Sequence, residues 1–211
     1  MDDILEAGRP FKCSCGRVHE VGIKNIIIGK DVLPKILDIA ADFNKGQIFL
    51  IADNNTYAPY GNMVETLLLK EKFKLKKYVF KSKSTIIPDE KAIGRLLVEI
   101  DKGTSLIIAV GSGSINDMAR FLSYKLSIPY IIVATAPSMD GYASVVSPLI
   151  IEGFKKTFEA TSPFGIIGDV NILKDAPVDM IRAGFGDIIG KFTALTDWQL
   201  SKLINNEYYC E

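Results

Sequence analysis

Residues 106–117 read LIIAVGSGSIND, a short apolar run that leads directly into a glycine-rich turn. Every side chain from Leu106 to Val110 is apolar, which is typical of a strand covered on both faces. From Ser114 to Leu126 the apolar residues recur on one stripe, so this segment is predicted to be an amphipathic helix. A covered strand, a tight turn and a helix in this order indicate an α/β protein.

The same alternation extends along the chain in both directions. Short apolar runs predict strands at 26–28, 48–52, 78–80, 130–134 and 165–169. Most of these strands are separated by segments with helical periodicity. We therefore predict an α/β fold with a parallel sheet over residues 1–175. Residues 145–151 are predicted to form a β-hairpin or two irregular strands around Pro148. Residues 176–211 are helical in pattern and too few for a core of their own.

The composition excludes several classes of protein. Apolar residues make up 48% of the chain, which excludes a chain that is disordered throughout. Because 25 basic residues balance 25 acidic ones, nucleic acid is not an expected partner. No apolar run reaches the roughly 20 residues of a membrane span, so we expect no membrane association. Three cysteines cannot all pair within one chain and indicate a reduced, cytoplasmic setting.

The glycine-rich turn is the sharpest candidate for ligand binding. Glycines let a ligand approach the backbone, and the first N–H groups of the following helix lack intrahelical partners. Together with the helix dipole they form an anion site, as in strand–turn–helix phosphate motifs. The alternative is a turn without a ligand, in which Ser114 is the N-cap and Asp117 completes a capping box.

Two further polar segments follow strands and are predicted to lie at the same edge of the sheet. Residues 134–144 read ATAPSMDGYAS, in which Asp140 can accept hydrogen bonds from substrate hydroxyls. The alternative is that Asp140 and Gly141 form a simple turn. Asp53 ends a strand, where an acid can bind a ribose and repel a 2′-phosphate. Its alternative is a solvated loop acid.

The segment 182–191, RAGFGDIIGK, is unusual for a helix. Each interior glycine costs about 1 kcal/mol relative to alanine. The glycines lie close to Asp187 on the helix, which leaves room for a metal or substrate to approach its carboxylate. The alternative is a surface ion pair between Asp187 and Lys191 beside close helix packing.

Cys13, Cys15 and His19 form another cluster of metal-ligating residue types, and His19 is the single histidine of the chain. Structural zinc normally takes four protein ligands, and Cys-x-Cys is not its usual spacing. An N-terminal hairpin without a metal is therefore the favoured interpretation.

Three of these motifs together resemble one known family. The segments Gly111–Asp117, Ala134–Ser144 and Gly184–Asp187 are similar, in this order, to those of sn-glycerol-1-phosphate dehydrogenase. That family belongs to the superfamily of iron-containing alcohol dehydrogenases, glycerol dehydrogenase and dehydroquinate synthase. The resemblance covers nearly the whole chain, and the run TAPSMDGYAS at 135–144 is its specific part.

The resemblance implies a Rossmann-like dinucleotide-binding domain at 1–175 and the first helices of an all-helical domain at 176–211. It implies an NAD(P)-dependent oxidoreductase that interconverts sn-glycerol 1-phosphate and dihydroxyacetone phosphate. The implied cofactors are NAD(H) or NADP(H) and a zinc or nickel ion. Asp140 and Asp187 would be catalytic and bind substrate, and Asp187 would also bind the metal. The residues implied to bind the dinucleotide are Asp53, Gly113, Ser114, Ile115, Asn116, Asp117, Thr135, Ala136, Pro137, Ser138 and Ser144.

The resemblance is incomplete at the metal. The family takes two metal ligands from histidines of its helical domain, whereas this chain ends at Glu211, where that domain has only begun. We therefore expect a fragment that holds little metal and is inactive by itself, and a homo-oligomer when complete. Two alternatives stay open: a non-catalytic dinucleotide-binding module, and a polyol oxidoreductase of the glycerol dehydrogenase type.

Overall fold

The structure is a computed structural model that describes residues 10–82 and 85–210. Its strands are β1 (Phe11–Lys12), β2 (Val18–His19), β3 (Asn25–Gly29), β4 (Gln47–Asp53), β5 (Lys74–Phe80), β6 (Thr104–Gly111), β7 (Tyr130–Ala134), β8 (Val146–Ile151), β9 (Phe154–Glu159) and β10 (Gly165–Asp169). Its α-helices are α1 (Ile36–Ala40), α2 (Asn54–Thr56), α3 (Asn62–Lys70), α4 (Glu90–Glu99), α5 (Gly113–Leu126), α6 (Val170–Leu173) and α7 (Val178–Asn205).

Short 3-10 turns at Leu33–Lys35 and Ala41–Phe43 flank α1, and a π turn at Tyr57–Gly61 joins α2 to α3. Another 3-10 turn, Gly141–Ala143, lies in the loop after β7. The helical segments between β3 and β4 and between β4 and β5 are therefore each divided into short pieces.

Six strands form one sheet in the order β3-β10-β7-β6-β4-β5, and every neighbouring pair in it is parallel. This confirms the predicted α/β fold. Helices cover both faces, because Ile107 and Ala109 of β6 pack in one apolar cluster with α4 and α5, whereas Ile108 packs in a second cluster with α1 and α3. A strand that is buried on both sides has no polar face, which explains the uninterrupted apolar run of β6.

Parallel pairing places the carboxyl ends of all six strands at one edge of the sheet. The residues that end the strands or follow them directly include Asp53 after β4, the turn at Ser112 after β6 and Thr135 after β7. Ligands of open α/β sheets bind at this edge. The sheet topology therefore places these polar motifs at the carboxyl edge, as predicted.

The hairpin near Pro148 consists of β8 and β9, and not of two strands within residues 145–151 as predicted. Residues 146–151 form a single strand that runs through Pro148 and pairs antiparallel with β9, which the sequence did not indicate. Five of the six β9 residues, FKKTFE, are exposed, so the strand lacks the apolar alternation by which strands are recognised. The turn uses positive φ at Glu152 (54°) and at Gly153 (79°).

Helix α7 confirms the helical pattern predicted from about residue 177. Gly184 is its single buried residue, and its apolar side chains, among them Phe185 and Phe192, are largely exposed. The helix lies against the loop after β7 so closely that a Cβ at Gly184 would be 1.8 Å from the Pro137 carbonyl oxygen. The division into domains at residue 175 stays a prediction. Among the described residues, none of the helices combines the length and apolarity needed to cross a bilayer.

Candidate functional site

The N-terminus of α5 is open to a ligand. The helix begins at Gly113 with Ser112 as its N-cap, and no side chain caps it. The Asn116 N–H donates to the Ser112 carbonyl at 3.0 Å, which closes the first turn. The alternative of a capping box between Ser114 and Asp117 is therefore wrong, because the N-cap is Ser112 and the helix starts two residues earlier than that alternative requires. The N–H groups of this first turn are available for an anion.

A cavity of about 340 Å³ lies beside this helix end, at the carboxyl edge of the sheet. Five residues predicted to bind a dinucleotide line it: Asp53, Ser114, Ile115, Thr135 and Ala136. They come from three loops that are far apart in the sequence. Pro177 and Met180 of the α7 segment complete one side of the cavity. The structure therefore brings the motifs around 53, 113 and 135 to one concave site.

Asp53 has a definite role in the fold besides lining the cavity. Its Oδ1 accepts hydrogen bonds from the N–H groups of Asn55 at 2.8 Å and Thr56 at 2.9 Å, so it caps α2. The Thr56 hydroxyl in turn donates to the Val110 carbonyl at 2.8 Å, which ties α2 to the end of β6. These bonds orient the carboxylate at the cavity wall, and its contact with a ribose stays a prediction.

Other residues predicted to bind the cofactor lie outside the cavity lining. Gly113 and Pro137 are adjacent to lining residues in the chain and Ser138 follows Pro137. The Ser144 hydroxyl accepts from the Val146 N–H at 3.1 Å. The side chains of Asn116 and Asp117 are buried in the protein. Their part in cofactor binding stays a prediction.

Asp117 instead forms a buried ion pair with Arg120. The Arg120 Nη1 is 2.8 Å from Asp117 Oδ1, and the arginine side chain is 1% exposed. Burial raises the pKa of Asp117 to about 6, and the attraction of Arg120 opposes this shift. The spacing of three residues on one helix is the sequence signal by which this pair could have been found.

Arg120 also anchors the loop that follows β7. Its guanidinium donates to the carbonyls of Val146 at 2.9 Å and Tyr142 at 3.3 Å, and to that of Gly141. Its Nε donates to the Tyr130 hydroxyl at 3.1 Å. One buried side chain thus joins α5, β7 and the loop that carries Asp140. Sequence reasoning did not identify this residue.

The structure brings Asp187 of α7 next to Asp140 in the loop after β7. The backbone N–H of Asp140 donates to Asp187 Oδ2 at 2.8 Å, and the Lys191 ammonium is 2.6 Å from Asp140 Oδ2. The hydrogen bond from Lys191 lowers the pKa of Asp140, and the same bond raises the pKa of Lys191. The expected ion pair between Asp187 and Lys191 is therefore replaced by one with Asp140, and the close packing expected beside it occurs at Gly184.

The described residues around Asp187 do not form a complete transition-metal site. Within 10–82 and 85–210, the groups at this carboxylate are the Asp140 N–H and the Asp140 carboxyl, which is itself paired with the Lys191 ammonium. His19 lies in the Cys15 cluster instead. A catalytic zinc usually takes three protein ligands, so Asp187 and an Asp140 carboxylate already paired with Lys191 are an insufficient donor set by themselves.

Comparisons with known proteins agree with the geometry. A family model described as iron-containing alcohol dehydrogenase matches residues 27–177. The glycerol-1-phosphate dehydrogenase (NAD(P)+) of Halalkalibacterium halodurans is 35% identical over 202 residues, which are 94% of this chain and 51% of that protein. The one of Geobacillus thermodenitrificans is 34% identical over 212 residues, which cover 100% of this chain and 52% of that protein.

A solved structure of similar fold is glycerol dehydrogenase from Schizosaccharomyces pombe, with a TM-score of 0.70 at 19% identity, covering 81% of this chain and 43% of that one. The chain spans about half the length of the curated relatives it matches. These matches confirm the resemblance inferred from the three motifs. The chain belongs to the iron-containing alcohol dehydrogenase family.

Proposed function

We propose that the cavity at the carboxyl edge of the sheet binds a nicotinamide dinucleotide. The observation that carries this proposal is the meeting of Asp53, Ser114 and Thr135 on one cavity next to an uncapped helix N-terminus. The pyrophosphate lies against the N–H groups of residues 113–115, where the helix dipole favours negative charge. Asp53 accepts hydrogen bonds from the adenosine ribose.

The carboxylate of Asp53 also bears on the choice of cofactor. A 2′-phosphate near this group would be repelled, so NADH binds at least as well as NADPH. The relatives carry NAD(P)+ in their names, which supports a nicotinamide cofactor without distinguishing the two. The nicotinamide carries the hydride, and the protein positions it against the substrate.

For the whole protein we propose the interconversion of sn-glycerol 1-phosphate and dihydroxyacetone phosphate. The names of the relatives support this reaction, as does the convergence of Asp140 and Asp187. Carboxylates accept hydrogen bonds from the hydroxyl groups of a polyol, whereas they repel its phosphate. Lys191, with a half-exposed side chain beside Asp140, is a local cation for that phosphate. We also propose a homo-oligomeric protein in the cytoplasm.

The metal stays a separate proposal. Zinc or nickel as a Lewis acid is the family chemistry implied by the resemblance, with Asp187 as one ligand. Because the described residues supply only Asp187 and the Lys191-paired Asp140 there, further ligands must come from outside them. The second candidate function is a non-catalytic module, in which the cavity at the carboxyl edge binds a dinucleotide and no reaction follows.

Gly113→Val is expected to weaken NADH binding by tenfold or more, about 1.4 kcal/mol. The branched side chain occupies the backbone surface that the pyrophosphate must approach. The protein still folds, because the added Cβ meets the flexible end of Met139, with Sδ at 3.3 Å. The measurement is a fluorescence titration with NADH.

The matched control is Gly103→Val, at the opposite edge of the sheet, where a Cβ has open space. It should bind NADH like the parent chain. Equal NADH affinity of the Gly113→Val and Gly103→Val proteins would contradict the assignment of this turn to the pyrophosphate.

The substrate proposal predicts a preference for the phosphorylated ketone. We expect kcat/KM of the whole gene product with NADH to be at least about tenfold higher for dihydroxyacetone phosphate than for dihydroxyacetone, since a charge-assisted phosphate contact contributes more than 1 kcal/mol. Asp140→Asn should lower turnover of dihydroxyacetone phosphate and leave NADH affinity nearly unchanged.

Both ketones are to be compared on one metal-loaded preparation. A preference for free dihydroxyacetone or glycerol would replace the proposal by a polyol oxidoreductase of the glycerol dehydrogenase type. NADH binding without turnover of any of these substrates would favour the binding module.

A further inference from the structure

Four potential metal ligands meet outside the cavity at the carboxyl edge of the sheet. Cys13, Cys15, His19 and Cys210 present ligand atoms that all lie within 4.8 Å of one another. Three of these residues were predicted as a cluster from the sequence, and Cys210 was not. Cys210 is 197 residues from Cys13, yet their Sγ atoms are 3.4 Å apart. The fold therefore completes a set that the N-terminal motif alone does not provide.

The separations match the edges of a small tetrahedron. His19 Nε2 is 3.2 Å from Cys15 Sγ and 3.4 Å from Cys210 Sγ. Zinc–sulfur bonds of about 2.3 Å and zinc–nitrogen bonds of about 2.0–2.1 Å give ligand–ligand edges of roughly 3.5–3.8 Å. The three short separations lie slightly below these edges and none in the set exceeds 4.8 Å, so shifts of about an ångström bring the four atoms to a tetrahedron.

The N-terminal half of the cluster is built by a short hairpin. β1 and β2 pair antiparallel, with Phe11 opposite His19. The Cys13 N–H donates to the Arg17 carbonyl at 2.9 Å, and the Gly16 N–H donates to the Cys13 carbonyl at 3.1 Å. Gly16 has a φ of +83°, which a residue with a Cβ rarely adopts. This turn places both thiols next to the His19 ring.

The C-terminal half is held by the end of α7. The chain reverses after the helix, where Asn206 has a φ of 54°. The Trp198 Nε1 donates to the Tyr208 carbonyl at 2.7 Å, which fixes the reversed segment against the helix. The Arg17 guanidinium stacks on the Tyr208 ring at 3.5 Å from its centroid. These contacts bring Cys210 to the N-terminal hairpin.

We propose that these residues form a structural Cys3His zinc site. Three thiolates and an imidazole are the donor types of closed tetrahedral zinc sites, which leave no position for substrate. The Tyr208 hydroxyl, 3.0 Å from Cys15 Sγ, donates to that thiolate from outside the ligand set. The site joins the N-terminal hairpin to the segment after α7, and it does not depend on the function proposed for the carboxyl edge.

The test is the metal content of the untagged 211-residue chain, purified under reducing conditions after expression in zinc-supplemented medium. We expect one zinc per chain by elemental mass spectrometry. Cys210→Ser and Cys15→Ser should each reduce the zinc content at least severalfold. Ser14→Ala, in the same turn but without a ligand atom of the set, is the matched control and should keep it. Asp187→Asn should also keep it, which separates this zinc from any metal at Asp187.

Two measurements on the unaltered chain hold even where a variant fails to fold. Cobalt in place of zinc should give the thiolate charge-transfer and d–d bands of a tetrahedral sulfur-ligated ion. Alkylation should label the three cysteines only after a chelator removes the zinc. The proposal is overturned by protein without zinc, by zinc that survives Cys210→Ser, or by a disulfide between Cys13 and Cys210 that forms in preference to metal binding.

Discussion

We expect Arg120→Met to lower the free energy of unfolding by about 3–5 kcal/mol, because breaking a buried pair leaves an uncompensated charge. Asp117 would keep its buried carboxylate without the cation 2.8 Å away. The substitution also removes the donors to the carbonyls of Tyr142 and Val146. Methionine retains most of the side-chain volume, so the loss reports the charge and the hydrogen bonds. Urea denaturation measures it.

The chain contains a matched control for this substitution. Arg182 and Asp179 form an ion pair with the same spacing of three residues on α7, but their side chains are 73% and 87% exposed. Arg182→Met should therefore change the free energy of unfolding by less than about 1 kcal/mol. Similar losses for Arg120→Met and Arg182→Met would show that burial of the Asp117 pair does not matter for stability.

The second large effect concerns the contact between α7 and the loop after β7. Gly184→Ala is expected to lower the free energy of unfolding by about 3 kcal/mol, the upper part of the range for overpacking. The obstacle is the backbone carbonyl of Pro137, 1.8 Å from the new Cβ, and a backbone cannot move aside as a flexible side chain can. Helix α7 must shift, which separates Asp187 from the Asp140 N–H. Denaturation monitored by circular dichroism measures the loss.

Two other glycines of the same helix provide the control. A Cβ at Gly186 or Gly190 meets nothing within 4 Å. Gly186→Ala and Gly190→Ala should each raise the free energy of unfolding by up to about 1 kcal/mol, the gain in helix propensity. If Gly184→Ala were as stable as these two variants, the close approach of α7 to Pro137 would be wrong.

Much of the sheet was predictable because its strands are covered on both faces. The apolar runs that contain Ile108 and Ile132 have no polar alternation, and this pattern belongs to parallel sheets. Strand β9 was not predictable, since Lys155 and Lys156 face solvent in a two-stranded ribbon. Its pairing with β8 follows from the turn at Gly153, whose effect depends on the surrounding fold.

The sequence motifs of the candidate site were predictable, but the pairs of residues that contact one another there were not. Strand ends of a parallel sheet meet at one edge, so the approach of Asp53 to Ser114 follows from topology. The pairing of Lys191 with Asp140 rather than Asp187 depends on how α7 lies on the loop, and local spacing favoured the wrong acid. The same holds for Cys210, because no local pattern connects residues 197 positions apart.

The place of β3 in the sheet has a consequence for how the chain folds. β3 lies at the edge and pairs with β10, and the Asp31 N–H donates to Asp169 Oδ1 across 138 residues of sequence. During synthesis the Ile26–Ile28 run therefore leaves the ribosome long before its partner strand exists. Such late, non-local pairing makes folding slow and leaves an apolar strand open to aggregation in the nascent chain. A chain arrested before β10 is synthesised should depend on chaperones that shield this strand.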